Sequence, residues 1–174
     1  MKILSLWTAV VTVLVVSVPA LAGDPNLARC QTQAEACAQA LIVGAFDKLV
    51  QQCTHPKIVI GMGGAARMSE AASSERAKMK QEGVDMLAAT ASAPKELVPV
   101  GPELYALVPV TLKFKMADGK YQLQSTFVAW SNDHGKTWKF IDGANLDDQK
   151  IKVVLPQFPS ARLKIPAPQA PTKL

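Results

Sequence analysis

The sequence predicts an α+β fold: N-terminal helices packed on a curved antiparallel sheet, then a short helix and a proline-rich tail. Three observations predict it. Residues 33–52 carry apolar side chains at three- and four-residue steps, the spacing of one helical face, and a second helix is expected over residues 68–89. From residue 96 onward apolar and polar residues alternate, the spacing of a half-buried strand. Turn-forming residues at Asp118-Gly119 and over residues 132–136 then divide that stretch into a meander. Helices followed by strands, without β-α-β alternation, argue for helices on one face of the sheet.

The chain begins with an export signal. Lys2 is the only charge in residues 1–22, and residues 3–18 are uncharged and mostly apolar. Pro19 interrupts this run and Ala20-Leu21-Ala22 follows, so cleavage is expected after Ala22. The apolar run is shorter than the roughly 20 residues needed to cross a bilayer. A domain is expected over residues 23–156, with a tail over residues 157–174. No membrane span is expected after cleavage, and the protein is expected in a periplasm or outside the cell. The net charge of +5 includes Lys2. The remaining Lys and Arg are scattered without interleaved aromatics, so no nucleic-acid partner is expected.

Thr32-Gln33-Ala34-Glu35 fits a capping box, with Thr32 as the cap and Glu35 reaching back to it. The helix it opens presents Ala38, Leu41, Ile42, Ala45, Phe46 and Leu49 on one face. His55-Pro56 ends it, because the residue before proline is pushed out of the α region. An exported chain can hold a disulfide, and the cysteines are Cys30, Cys37 and Cys53. One straight helix would hold Cys30 and Cys37 about 10 Å apart. If the helix starts at Thr32, Cys30 can fold back, and a Cys30–Cys37 bridge is the expected pairing. The alternative is three buried thiols.

Lys57-Ile58-Val59-Ile60 reads as a short apolar strand before the glycines of residues 61–64. A second helix is expected over residues 68–89, with a break open at Gly83. Val100-Gly101-Pro102 reads as a tight turn. Leu104, Ala106, Val108, Val110, Leu112, Phe114 and Met116 share one parity, opposite Lys113 and Lys115, so one face is buried. Asp118-Gly119 is a hairpin signal, and Tyr121, Leu123, Phe127 and Ala129 line one face of the return strand. A last helix spans residues 147–155 and stops at Pro156. Five of the twelve prolines fall in residues 156–174, so the tail is expected to be extended and loosely held.

The clearest motif is Ser131-Asn132-Asp133-His134-Gly135-Lys136-Thr137-Trp138. It matches the Asp-box pattern S-x-D-x-G-x-T-W at Ser131, Asp133, Gly135, Thr137 and Trp138. Short Ser and Asp side chains accept backbone N–H groups, and glycine permits a positive φ, so it reads as a hairpin staple rather than a glycan site. Gly61-Met62-Gly63-Gly64-Ala65-Ala66, with Asp85 downstream, fits a dinucleotide-binding pattern but lacks the β-α-β context. No cofactor is expected from it. His55 and His134 have no partners at metal-ligand spacing, so no metal is expected. Asp147-Asp148 reads as the acidic first turn of the last helix, and no nucleophile-elbow motif is present.

The order of elements resembles the cystatin-like cone superfamily, which includes nuclear transport factor 2-like and polyketide-cyclase-like proteins. The segments that carry the resemblance are Leu104-Tyr105-Ala106-Leu107-Val108-Pro109, the Asp-box with Phe140-Ile141-Asp142-Gly143, and Leu155-Pro156-Gln157-Phe158-Pro159. The resemblance implies a pocket for a small apolar molecule in the mouth of the cone, or dimerisation through the sheet. Val110, Leu112, Phe114 and Phe127 are the expected lining. Isomerase relatives use a carboxylate base and a tyrosine donor. Asp47, Asp85, Tyr105 and Tyr121 are of the right type, but none matches a catalytic position. The leading expectation is therefore an exported, non-catalytic binding or accessory protein. The alternatives are an isomerase, dehydratase or cyclase using a buried carboxylate, and a structural partner of an envelope protein.

Overall fold

Asp24 starts the first helix, α1 (Pro25–Val43), by accepting the Asn26 N–H at 2.9 Å, with Pro25 in the first turn. Proline suits that position because its missing N–H has no partner there anyway. The computed structural model describes residues 24–144 and 146–174, so the expected signal segment lies outside the described residues. The early start overturns the expected capping box. Thr32 Oγ1 donates to the Ala28 carbonyl at 2.9 Å, and Glu35 accepts the N–H of Ala91.

The same start overturns the Cys30–Cys37 pairing. Both cysteines lie on α1, seven residues apart, and are held about 10 Å apart along its axis. Cys37 is instead bonded to Cys53, with Cα atoms 5.8 Å apart. Gly44 ends α1 at a left-handed φ of 73°, and the chain folds back through α2 (Phe46–Lys48) and a π-helical turn (Leu49–Cys53). That reversal carries Cys53 to Cys37. The free Cys30 is fully buried, and burial pushes its thiol up to about 12.

Pro56 begins a helix rather than closing one. His55 is extended and its Nδ1 accepts the Lys57 N–H at 3.3 Å, so His55-Pro56 is the N-cap and first residue of α3 (Pro56–Gly61). The expected strand at residues 57–60 is therefore helical. α4 (Ala65–Gln81) follows and stops before Gly83, whose φ of 77° is left-handed. The second helix is thus shorter than expected, and residues beyond the break form the strand β1 (Asp85–Ala91).

The remaining strands are β2 (Val98–Val100), β3 (Glu103–Met116), β4 (Gly119–Ser131), β5 (Lys139–Asp142) and β6 (Thr172–Lys173). They form one antiparallel sheet in the order β1-β3-β4-β5, with β2 also on β3 and β6 also on β4. β3 and β4 pair along their whole length, from Leu104↔Ser131 to Met116↔Gly119. α5 (Asp148–Val154) is capped by Asp147, which accepts the N–H groups of Gln149 and Lys150.

Both faces of the sheet are covered. Ala106, Val108, Val110 and Ala129 pack with Cys30, Ala34 and Cys37 of α1 and with Trp138 and Phe140. On the other face Tyr105, Val128 and Ile141 pack with Ile151, Leu155, Phe158 and Leu163. The expectation of one buried face thus misses the second core. The tail supplies part of it, and further on Tyr121 and Gln122 pair with Lys173 and Thr172, so the tail is anchored rather than loose.

α1 also finishes the free edge of β1. Gln39 Nε2 donates to the Ala89 carbonyl at 2.8 Å and Gln31 Nε2 to that of Ala91 at 3.4 Å, while Glu35 takes the Ala91 N–H. Residues 31, 35 and 39 stand one above another on a helix. This ladder occupies backbone groups that would otherwise be open to a foreign strand. On β5, the His55 N–H donates to the Phe140 carbonyl at 3.1 Å.

Candidate ligand-binding site

β3 and β4 run on beyond Val110 toward their hairpin, past the part of the sheet that α1 fills. There a cavity of about 440 Å³ lies between the sheet, α4 and the end of α1. Leu112, Phe114, Leu123, Val84 and Met86 line its sheet side. Leu41, Phe46, Ala72 and Met79 line its helical side, with Glu75 and Arg76. Arg76 is committed to the backbone: its guanidinium donates to the Leu41 and Ile42 carbonyls, both at 2.8 Å. It thereby satisfies carbonyls that a helix end leaves open and fixes α4 against α1. Glu75 is exposed. The walls are otherwise hydrocarbon and thioether, the character of an apolar ligand pocket.

Two of the four expected lining residues, Leu112 and Phe114, stand in this wall. Val110 and Phe127 do not line it. Val110 is only 1 % exposed, and Phe127 packs against Phe140 with ring centroids 5.8 Å apart. The helical side of the cavity could not be read from the sequence, because it depends on where α1 and α4 end.

The Asp-box residues come together as a closed turn. Ser131 Oγ donates to Asp133 Oδ1 at 2.8 Å and accepts the Gly135 N–H at 3.0 Å. Asp133 accepts the N–H groups of Lys136 and Thr137 and the Thr137 hydroxyl. Burial would raise the Asp133 pKa, but these hydrogen bonds outweigh it and hold the carboxyl down at about 2. His134 and Gly135 take the positive φ values of 59° and 80°. Trp138 is 1 % exposed and its Nε1 donates to the Gly135 carbonyl at 3.1 Å. α1 then covers the turn: Arg29 donates to Gly135, Gln33 donates to Lys136, and Gln33 accepts the Trp138 N–H. The motif is a clasp between hairpin and helix.

A second set of polar side chains lies on the outer face of the sheet. His55 is 4 % exposed and meets the Trp130 ring edge-on at 4.6 Å. Burial, then Lys57, lower its pKa to about 4, against a smaller opposing pull from Glu103. Tyr105, paired with Trp130 across the strands, donates its hydroxyl to Glu103. Burial, then that bond, push the Tyr105 pKa well above the usual value. This Tyr105–Glu103 pair has the residue types of a proton-transfer site, but Tyr105 is 1 % exposed and lines neither the cavity at α4 nor the one beside the tail. Asp47 and Asp85 are exposed on α2 and β1, and Tyr121 stacks on Phe114. The four residues of isomerase type are therefore not brought together.

The glycines of residues 61–64 join two helices rather than a strand and a helix, and Asp85 opens an antiparallel strand. Among the described residues no group of three His, Cys, Asp or Glu side chains could hold a metal ion. Among them, too, no helix is long and apolar enough to cross a membrane. Compared with known proteins, the chain matches no family model and no curated protein.

Proposed function

We propose that this is an exported, non-catalytic binding protein that holds a small apolar ligand between α4 and the sheet. The observation that carries the proposal is the cavity of about 440 Å³, whose charged lining is limited to an exposed Glu75 and a backbone-bonded Arg76. Pockets of this size and character take compact apolar molecules by burying most of their surface. General acid–base chemistry needs a titratable group within hydrogen-bond reach of the substrate. Asp47, Asp85 and Tyr105 lie outside this wall, and its one carboxylate, Glu75, is exposed to solvent, which favours binding over turnover. The Cys37–Cys53 disulfide supports an oxidising compartment.

The test uses N-phenylnaphthylamine, a neutral fluorophore, with protein purified from the exported fraction. We expect stoichiometric binding, its loss in Leu112→Trp, and an N-terminus at Gly23. Equal binding by Leu112→Trp would remove the cavity from the account. Native mass spectrometry of the same sample reads co-purified ligand and subunit number. An empty protein joined to an envelope protein would favour a structural role instead.

A further inference from the structure

β5 and β6 lie along the same edge of β4, but the edge is not continuous. β5 pairs with it down to Phe127↔Asp142, and the Gly143 N–H reaches the Thr126 carbonyl at 2.8 Å. Pairing resumes at Gln122↔Thr172 and continues to the Lys120 carbonyl, which accepts the Leu174 N–H at 2.9 Å. Among the described residues no strand pairs with Leu123, Gln124 or Ser125 on that side. Backbone groups in a strand alternate in direction. The Thr126 and Lys120 carbonyls face this edge, so the N–H and C=O of Gln124 face it as well.

A cavity of about 590 Å³ opens at this gap and shares only Leu123 with the lining of the α4 cavity. Gln124, Leu107 and Pro109 line it from the sheet, and Leu163, Pro166 and Pro168 from the tail. The tail crosses the gap without pairing there, and Pro166 and Pro168, which line it, have no N–H to give. The lining carries the cations Lys95, Arg162 and Lys164 beside the acid Glu96, which is bridged to Arg162 at 2.6 Å.

We propose that this gap binds a short extended peptide carrying a carboxylate, which completes the edge of β4. Its backbone pairs with Gln124, its side chains enter the apolar walls, and its carboxylate lies at Lys95 and Arg162. Strand addition to an open edge gains affinity from main-chain bonds and specificity from flanking pockets. The proposal does not depend on the apolar ligand proposed above.

The probe is a pool of peptides of the form X-X-X-Glu with free carboxyl termini, beside a matching X-X-X-Gln-amide pool. Binding is read by native mass spectrometry, then by amide hydrogen exchange at Gln124. We expect members of the acidic pool to bind and to slow Gln124 exchange. Lys95→Glu is expected to weaken binding about tenfold, as loss of a complementary charge does. Met79→Trp, on the α4 side of the other cavity, is expected to leave it unchanged. The proposal is overturned if no acidic peptide slows Gln124 exchange. Equal binding of the amide pool overturns it equally.

Discussion

His55 works only as a neutral ring. Its Nδ1 accepts the N–H of Lys57, and a proton there would remove the cap of α3. Lys57, Glu103 and Lys139 are the charges that act on it. Its pKa is lowered from 6.5 to about 4 on folding, so the unfolded chain takes up the proton first. This contribution is therefore complete above pH 6.5, falls as the pH drops toward about 4, and changes no further below that. The loss should be about 2 kcal/mol, allowing for solvent screening. His55→Asn keeps a side-chain acceptor and cannot titrate. Thermal melts between pH 7 and 4 should fall more steeply for the wild type than for this variant, and parallel curves would show that the ring does not set the slope. At this scale the Asp-box was fully legible, because its internal bonds join residues 131–138. The cysteine pairing was not, because it turns on a helix start at Asp24-Pro25 and a reversal at Gly44.

Among the elements, β1 was the least legible. Its residues, Asp-Met-Leu-Ala-Ala-Thr-Ala, contain a single β-branched side chain and follow a helical pattern. It is a strand because β3 pairs with one of its edges and α1 side chains bond to the other. Strand propensity is weak against such context. α3 was misread in the opposite direction, since Ile58-Val59-Ile60 favours a strand until His55-Pro56 is recognised as a helix start. The side chains along β1 lead to a test. Replacing Gln31, Glu35 and Gln39 together with Ala should open the β1 edge and produce concentration-dependent association in sedimentation velocity. A variant that stays as monodisperse as the wild type would show that the edge is protected by something else.

For the whole molecule, the alternation of β3 and β4 exposed the α+β plan and the core under α1, but not the second core. That one needs residues from α5 and the tail, whose proline content suggested a loose segment. Phe158 is 3 % exposed and Leu163 is 4 % exposed. Burying such side chains is worth about 2 kcal/mol each. Ending the chain after Pro156 should therefore cost several kcal/mol in a urea titration, and a midpoint unchanged from the full chain would show that the tail is dispensable.

The bonds from Arg29 and Gln33 to Gly135, Lys136 and Trp138 span 103 to 106 residues of sequence. They have a kinetic consequence. Most helical stability in proteins comes from packing, and part of the docking site of α1 does not exist until the β4–β5 turn has closed. As the chain emerges from its N-terminus, α1 appears early and must wait for a surface made much later. Refolding should therefore resemble that of proteins dominated by non-local contacts, on a timescale of about milliseconds to seconds. Under the export proposed above, that delay keeps the chain unfolded while it threads through a narrow pore.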